Sequence, residues 1–362
     1  AVSSNSSYKV DTTPPTVSSV AITSATNDQN NFLNAGDEAS LITTFSESVN
    51  VTDTPQLTLL IGEDNRTSTY TSGDGTTALV FKYTIQAGDN DTDGISIGAN
   101  VLALNSGTIQ DLAGNNATLT HSAVSANSSF MVDTTAPTVS TFTLSDTQLL
   151  IGETATVGLD FSEEVILFTN SDITLANGTL ATMTTSDNIT WSGIFTPTPN
   201  REDDTNTLTL QGGANTYTDL AGNDGTAKTT ENYEVETYAP SANSFTFVDT
   251  KMQDNETSQV NLVFREPVLL FSSAEDITVP FLDDNVTRSG TLSTMTSSDN
   301  ITWTGTFSPS FPNIQDWTNT LELNDNYTDY VGNAGTAKTS VNYMVDDIEP
   351  TSPPTVTLDD NS

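Results

Sequence analysis

The chain has 362 residues, of which 47 are acidic and 9 are basic, so its formal net charge is −38. This charge repels nucleic acid and anionic membrane surfaces and leaves cations and basic surfaces as partners. A surface that only keeps the protein soluble in saline water explains the charge equally well. The chain contains no cysteine, which excludes disulfides, thiolate nucleophiles and cysteine-ligated zinc. Since no apolar run reaches membrane-spanning length, we predict no membrane insertion.

Turn signals divide the first third of the chain into seven predicted strands. Their approximate bounds are 16–22, 38–46, 56–61, 67–72, 78–86, 95–109 and 126–132. Within one of them, Phe81, Tyr83 and Ile85 alternate with polar residues, which is typical of a strand with one buried face. Threonine, serine, asparagine and aspartate are frequent, and no long helical pattern is present. We therefore predict an all-β chain with many turns.

A phrase in which an acidic residue is closely followed by proline returns four times. It reads Asp11-Thr12-Thr13-Pro14-Pro15, Asp133-Thr134-Thr135-Ala136-Pro137, Glu236-Thr237-Tyr238-Ala239-Pro240 and Asp346-Asp347-Ile348-Glu349-Pro350. The intervals of 122, 103 and 110 residues match the length of a β-sandwich domain. Proline fixes its own φ and keeps its predecessor extended, so the phrase suits a stiff junction between domains.

The recurring phrase sets the predicted domain organisation. Three full repeats occupy residues 11–132, 133–235 and 236–345. Residues 1–10 mirror the end of repeat 1 and are predicted to be the last strand of a preceding repeat. Residues 346–362 are predicted to be a linker and the first strand of a following repeat. The alternative is a filament subunit that lends its terminal strands to neighbouring copies.

Two further phrases recur in all three repeats. One is a strand end, with valine two residues later: Phe45-Ser46-Glu47, Phe161-Ser162-Glu163 and Phe264-Arg265-Glu266. The other is a turn: Asp111-Leu112-Ala113-Gly114-Asn115, Asp219-Leu220-Ala221-Gly222-Asn223 and Asp329-Tyr330-Val331-Gly332-Asn333. Together with the junction phrase, they resemble the bacterial Ig-like domains that are repeated in giant surface adhesins. Similar domains occur in prokaryotic surface-layer proteins, and the resemblance covers essentially the whole chain.

The resemblance implies three tandem Ig-like antiparallel β-sandwich domains in an extended rod. It also implies a structural stalk or spacer of a prokaryotic protein at the extracellular cell surface, stiffened by Ca²⁺ at the junctions. The expected partners are neighbouring repeats of the same or an identical chain, with cell-surface or lattice contacts besides. One alternative is a lattice- or filament-forming surface-layer subunit. Another is a carbohydrate- or protein-binding module, for which Trp317 with Phe311 is the one indication.

The strand order provides a separate test of the calcium prediction. In an antiparallel sandwich the loops alternate between the two ends, so the loops after the second and sixth strands lie beside the incoming linker. Calcium binds six to eight oxygen ligands. The predicted ligands at the first two junctions are Asp11, Glu47, Asp111 and Asn115, and Asp133, Glu163, Asp219 and Asn223. The same residue types also favour turns in which no ion is bound.

The third junction departs from this pattern. The corresponding predicted ligands are Glu236, Glu266, Asp329 and Asn333. The linker, however, has Glu236 where the others have aspartate and Tyr238 where they have threonine, and Arg265 replaces the serine of the strand end. These differences weaken the case for calcium at this junction.

An acidic loop in repeat 1 supplies three more predicted ligands. Asp89, Asp91 and Asp93 begin like the D-x-D-x-D-G of an EF-hand loop. The twelfth position, however, is Asn100 rather than glutamate, and no flanking helix is readable, so an EF-hand is excluded. A looser calcium loop near Asp37 and a plain acidic turn both remain open.

The sequence predicts that the protein is not an enzyme. The single histidine, His121, lies in a polar stretch and is interpreted as a solvated loop residue. With one histidine and no cysteine, neither a Ser-His-Asp nor a Cys-His arrangement can recur in the repeats. The adjacent acids Asp203 and Asp204 lie on one predicted loop and cannot flank a sugar as a glycosidase pair does.

Overall fold

The computed structural model describes residues 9–253, 256–281, 288–310 and 315–346, which are almost entirely strands and turns. The terminal strands predicted within 1–10 and 346–362 therefore lie outside the described residues, apart from residues 9, 10 and 346. In the described ranges the helices are one 3-10 turn, Asn170–Asp172, and the four-residue α1, Ser273–Asp276. Neither is long and apolar enough to cross a membrane.

Repeat 1 has one large sheet. Its strands are β1 Val17–Thr26, β2 Phe32–Leu33, β3 Glu38–Thr52, β4 Gln56–Ile61, β5 Asp64–Ser72, β6 Thr76–Thr84, β7 Leu102–Ala103, β8 Thr108–Gln110 and β9 Met131–Val132. The sheet runs in the order β1-β3-β6-β5-β4-β7, and β8 pairs with the distal half of β3. The short β2 pairs with β9 in parallel.

Three of the strands predicted for repeat 1 differ from the structure. The strand predicted at 95–109 is wrong and is replaced by β7 and β8, because Asn100, Asn105 and Ser106 have positive φ and interrupt it. The strand predicted at 126–132 is reduced to β9. The second strand, β3, continues to Thr52 past a register shift, so Glu47 lies within a strand rather than in a loop.

Repeats 2 and 3 share one plan. Repeat 2 contains β10 Val139–Leu144, β11 Gln148–Leu149, β12 Ala155–Phe161, β13 Ile173–Thr174, β14 Gly178–Leu180, β15 Thr184–Thr185, β16 Thr190–Pro197, β17 Glu202–Asn206, β18 Thr209–Leu210, β19 Lys228–Thr229 and β20 Tyr233–Glu236. Repeat 3 contains, in its described residues, β21 Ala242–Phe247, β22 Lys251–Met252, β23 Ser258–Phe264, β24 Ile277–Thr278, β25 Gly290–Leu292, β26 Thr302–Pro309, β27 Gln315–Asn319, β28 Glu322–Leu323, β29 Lys338–Thr339 and β30 Tyr343–Asp346.

The sheets of these two repeats correspond strand by strand. The orders are β10-β12-β16-β14, β11-β20-β17 and β13-β18-β19 in repeat 2, and β21-β23-β26-β25, β22-β30-β27 and β24-β28-β29 in repeat 3. The register is also the same, since Leu159 faces Trp191 and Leu262 faces Trp303. Repeats 2 and 3 therefore share one arrangement of strands.

Buried apolar residues form three clusters, one within each of the ranges 33–132, 139–235 and 242–345. In repeat 2, Phe161 contacts Tyr217 with ring centroids 4.8 Å apart, and Phe168 contacts Trp191 at the same distance. The equivalent rings of repeat 3 repeat both distances. Each buried aromatic ring removes a large apolar area from water. Trp191 and Trp303, which alternate with polar neighbours along their strands, are partly buried and pack against these cores.

Candidate metal centres at the domain junctions

Each repeat has a turn in which an aspartate is bonded to the asparagine four residues later. In repeat 2, the backbone N–H of Asn223 donates to Asp219 Oδ1 at 2.9 Å, and its Nδ2 donates to Asp219 Oδ2 at 2.8 Å. Gly222 has φ +86°, which glycine adopts without steric strain. The other pairs, Asp111–Asn115 and Asp329–Asn333, have corresponding bonds of 2.6–2.9 Å. The turn thus holds a carboxylate that is 1% exposed at Asp219 and 3% exposed at Asp111.

The same asparagine also holds the incoming linker. Asn223 Nδ2 donates a second hydrogen bond, of 3.0 Å, to the backbone carbonyl of Asp133. The equivalent bonds run from Asn115 to Asp11 at 3.2 Å and from Asn333 to Glu236 at 2.9 Å. These amide groups therefore position the linker, and metal ligation by their oxygens stays a prediction.

Carboxylates from three separate segments meet at each of the first two junctions. One oxygen each from Asp133, Glu163 and Asp219 lie within 4.8 Å of one another, and we call this group the second trio. The first trio, Asp11, Glu47 and Asp111, has the same spacing. Each trio joins the linker and the Asp–Asn turn to a glutamate, which lies within β3 in the first trio (Glu47) and just after β12 in the second (Glu163). Within the described ranges, these are the two groups of three or more metal-ligating side chains that approach so closely.

The second trio changes the protonation of its own members. The pKa of Glu163 is raised, first because burial disfavours its charge and then because Asp133 and Asp219 are close. Burial and the charge of Asp133 also raise the pKa of Asp219, although hydrogen bonds from Asn223 oppose this shift. Two charges separated by 4.8 Å repel each other by about 3.5 kcal/mol at an effective dielectric constant of 20. A cation between the carboxylates would convert this repulsion into attraction.

The donor set of each trio fits a hard divalent cation. All of its side-chain donors are carboxylate oxygens, whereas zinc favours histidine and cysteine. Three carboxylates supply three to six oxygens, and carbonyls or water would complete the six to eight that calcium takes. The same carboxylates would be a poor site for an anion or a nucleic acid, because their charges would repel it.

The junction that leads into repeat 3 is different. Its carboxylates, Glu236, Glu266 and Asp329, do not form a third trio among the residues that the structure describes. Glu236 Oε1 accepts a hydrogen bond of 3.1 Å from the backbone N–H of Tyr238. Burial first, and then the charges of Glu202, Asp329 and Glu266, raise the pKa of Glu236 to about 7. This linker carboxyl is therefore partly protonated at neutral pH.

The acidic loop of repeat 1 has hydrogen-bond partners within the protein. Asp89 accepts from Arg66 Nε at 2.6 Å and from the Tyr83 hydroxyl at 2.7 Å. Asp91 accepts from the backbone N–H groups of Gly62 and Gly94, both at 2.8 Å. Both carboxylates are buried and hold the loop in shape. These bonds favour the plain acidic turn, and calcium binding by Asp89, Asp91 and Asp93 stays a prediction.

Residues that the sequence analysis missed connect repeat 1 to repeat 2. Asn30 and Asn34 donate through Nδ2 to the carbonyls of Leu220 and Ala221, at 2.9 and 3.0 Å. Both carbonyls belong to the Asp219–Asn223 turn of repeat 2, so the loop of repeat 1 that contains Asn30 and Asn34 contacts the turn that carries Asp219 of the candidate site. Neither asparagine belongs to a recurring phrase, and the sequence therefore offered no signal for them.

The threonine in the second position of the junction phrase attaches the linker to the preceding repeat. Thr134 N–H donates to Asn90 Oδ1, and its hydroxyl donates to the carbonyl of Asp89, both at 3.0 Å. In the next linker, the hydroxyl of Thr237 donates to the carbonyl of Thr198 at 2.7 Å. The recurrence of this threonine was visible in the sequence and could have indicated its role.

Two side chains outside the junctions bear on the other functional predictions. The interpretation of His121 as a solvated residue is wrong, since the residue is only 9% exposed. Its Nε2 accepts a hydrogen bond of 3.0 Å from the backbone N–H of Val101, and its Nδ1 lies 2.8 Å from the carbonyl oxygen of Ser122. Both ring nitrogens thus meet backbone groups. Trp317, the indication of a binding module, is half exposed, and its predicted neighbour Phe311 lies outside the described residues.

Comparison with family models assigns two of the three repeats to a known domain family. Residues 133–235 and 236–345 both match the family described as bacterial Ig-like domain. The chain belongs to this family. The resemblance stated from the recurring phrases and the all-β Ig-like fold class are thereby confirmed. Comparison with curated proteins found no match.

Several solved structures are similar to the chain at low identity. FdeC, an adhesin of Escherichia coli, is 12% identical over 92% of this chain and 96% of that chain, with a TM-score of 0.33. The titin domains I67–I69, in an E-to-A variant, are 10% identical over 88% and 95%, with a TM-score of 0.39. A marsupial T cell receptor is 10% identical over 85% and 97%, with a TM-score of 0.27.

Proposed function

We propose that this chain is a stiff spacer in an extracellular, cell-surface protein and that Ca²⁺ rigidifies the two domain junctions that carry a carboxylate trio. The observation that carries the proposal is the second trio, in which Asp133 of the linker meets Glu163 and Asp219 of the following repeat. Membership of the bacterial Ig-like domain family supports a modular, repeat-based role. The high negative charge is consistent with it, because it opposes side-by-side collapse of neighbouring rods.

The stiffening follows from how the linker between repeats 1 and 2 is held. Thr134 attaches it to repeat 1 through Asn90, and Asn223 attaches the carbonyl of Asp133 to repeat 2. Without a cation, the repulsion within the second trio opposes the second attachment. A bound divalent cation would reverse this effect and hold Asp133 against repeat 2. The angle between the two repeats would then be restricted.

The distance between repeats 1 and 2 tests this proposal. Because the chain has no cysteine, Thr69→Cys and Thr196→Cys place one spin label on exposed positions of β5 and β16. We expect a narrow distance distribution with calcium and a broader one with a chelator. Sodium chloride at the same ionic strength should not narrow it, since screening alone does not bridge the carboxylates.

A matched pair of variants assigns the effect to the linker carboxylate. Asp133→Asn retains the Oδ1 that accepts the Thr135 N–H at 2.9 Å but removes one charge from the trio. Asp146→Asn alters an aspartate that accepts from Gln148 N–H in the same way, also at 2.9 Å, outside any trio. We expect Asp133→Asn to broaden the distribution in calcium and Asp146→Asn to leave it unchanged. A parent protein that ignores calcium, or a narrow distribution in Asp133→Asn, contradicts the proposal.

A further inference from the structure

Arg265 changes the contact between the linker and the long strand at the start of repeat 3. In repeats 1 and 2 the same position is serine, and its hydroxyl accepts a backbone N–H: Ser46 from Thr16 at 3.0 Å and Ser162 from Thr138 at 2.9 Å. Arginine has no acceptor atom and cannot make this bond. The backbone at Arg265 nevertheless keeps its place, since its N–H donates to the Ser241 carbonyl at 3.0 Å.

The guanidinium of Arg265 instead reaches the linker. Its Cζ lies 5.1 Å from the centre of the Tyr238 ring, and Nη1 is 3.4 Å from the Tyr238 hydroxyl. A cation over an aromatic face is attracted by the ring quadrupole. Tyr238 takes the place of Thr13 and Thr135, so both partners of this stack are particular to the third repeat. The stack connects the linker to the strand end, as the trio does at the previous junction.

A further contact joins repeats 2 and 3 without any carboxylate. Asn333 Oδ1 accepts a hydrogen bond of 2.9 Å from the backbone N–H of Ile151, which lies in the loop between β11 and β12 of repeat 2. Asn333 Nδ2 donates to the carbonyl of Glu236 in the linker at 2.9 Å. One side chain of repeat 3 therefore contacts the preceding repeat and the linker together. The Oδ1 that would serve as a metal ligand is already engaged by Ile151.

We infer that the joint between repeats 2 and 3 is metal-independent, and that the Arg265–Tyr238 stack holds its linker where the preceding joint uses a divalent cation. The contrast with the preceding joint rests on the proposed function, whereas the role of the stack does not. Because the stack contains neither a carboxylate nor a metal ion, this joint keeps its angle when calcium is withdrawn. Loss of calcium would then loosen the rod at the joint between repeats 1 and 2 and leave repeats 2 and 3 as a rigid pair.

The test uses the full chain with spin labels at Thr196→Cys and Thr306→Cys, which are exposed on β16 and β26. We expect the same narrow distribution in calcium and in chelator. Arg265→Ser, which restores the serine of the other repeats, should broaden it in chelator. Tyr238→Ala should broaden it equally, and the double variant should be no broader than either single one, because both remove the same contact. Tyr238→Phe keeps the ring and should remain close to the parent.

Each result supports or overturns the inference. The inference is overturned if the distance distribution of the parent narrows when calcium is added. It is also overturned if the distribution of Arg265→Ser stays narrow in chelator. Unchanged far-ultraviolet circular dichroism and an unchanged thermal transition, followed by the fluorescence of Trp303 in a variant in which Trp191 and Trp317 are phenylalanine, show that repeat 3 is still folded. The label pair Thr69→Cys and Thr196→Cys separates the inference from the proposed function. If neither joint responds to calcium while Arg265→Ser broadens the third repeat's joint, the proposed function fails and the inference stands.

Discussion

Replacing Glu163 by glutamine should have opposite effects on stability with and without calcium. The change preserves the shape of the side chain and removes one negative charge beside Asp133 and Asp219. In a chelator, the variant should be more stable than the parent, because the remaining carboxylates repel each other less. In calcium, the variant should lose most of the stabilisation that the parent gains, because a ligand has been removed.

The expected size follows from the geometry of the trio. Full repulsion between two charges 4.8 Å apart is about 3.5 kcal/mol at an effective dielectric constant of 20. Glu163 is partly exposed, and solvent screening reduces the gain in chelator to about 1 kcal/mol. For a repeat of this length, that corresponds to a rise in Tm of about 4–8 °C. Calcium at 100 times its Kd should stabilise the parent by about 2.7 kcal/mol, and the variant by much less.

Thermal unfolding followed by tryptophan fluorescence can report on repeat 2 alone. The chain has three tryptophans, and replacing Trp303 and Trp317 by phenylalanine leaves Trp191 in the core of repeat 2. The control is Glu164→Gln, the next residue, whose Oε1 accepts from Asn188 Nδ2 at 2.9 Å, a bond that glutamine retains. This control changes the net charge equally but lies outside the trio. It should therefore leave the thermal unfolding transition unchanged both in calcium and in chelator.

Two outcomes would refute the electrostatic reasoning. The first is a Glu163→Gln variant that is less stable than the parent in chelator and gains as much as the parent from calcium. The second is a Glu164→Gln variant that shifts both transitions as Glu163→Gln does, because the effect would then arise from net charge rather than from the trio.

Three further predictions concern pH, close packing and backbone strain. Because the pKa of Glu236 is raised to about 7, the stabilisation that its protonated form provides is complete below about pH 4.5 and is lost as the pH rises through 7. Urea unfolding in chelator should show that the unfolding free energy falls by about 1–2 kcal/mol over this range, and Glu236→Gln should abolish the fall. Gly225→Ala should cost about 3 kcal/mol in urea unfolding, since its Cβ would lie 2.1 Å from the buried Tyr217 ring, whereas Gly158→Ala, with 3.6 Å to its nearest neighbour, should be close to neutral. Leu167 is 70% exposed with φ +66°, so Leu167→Asn should raise the unfolding free energy by about 0.5–1 kcal/mol and Leu167→Ala should not.

Strands could be predicted from the sequence where their signal is local. Alternation with period two indicates a strand with one buried face, as at Phe81 and Tyr83 in β6. The same reasoning failed at 95–109 in repeat 1, where residues with positive φ interrupt an apolar stretch that reads as continuous. Whether a particular asparagine adopts that conformation depends on its tertiary contacts, so the pattern alone could not settle the strand.

The sequence by itself determined the family and the repeated phrases, because both depend on residue identity and spacing along the chain. The predicted strand order already placed Asp133, Glu163 and Asp219 at one junction, and only the tertiary structure decided how closely their oxygens approach and that the third junction lacks such a group among the described residues. Asp133, Glu163 and Asp219 are 30 and 56 residues apart in sequence, and the approach of their oxygens to within 4.8 Å depends on how the long strands pair. The stack of Arg265 on Tyr238 is likewise a contact between distant segments. Local patterns give the order of the strands, whereas long-range pairing determines how closely the chain brings its charges together.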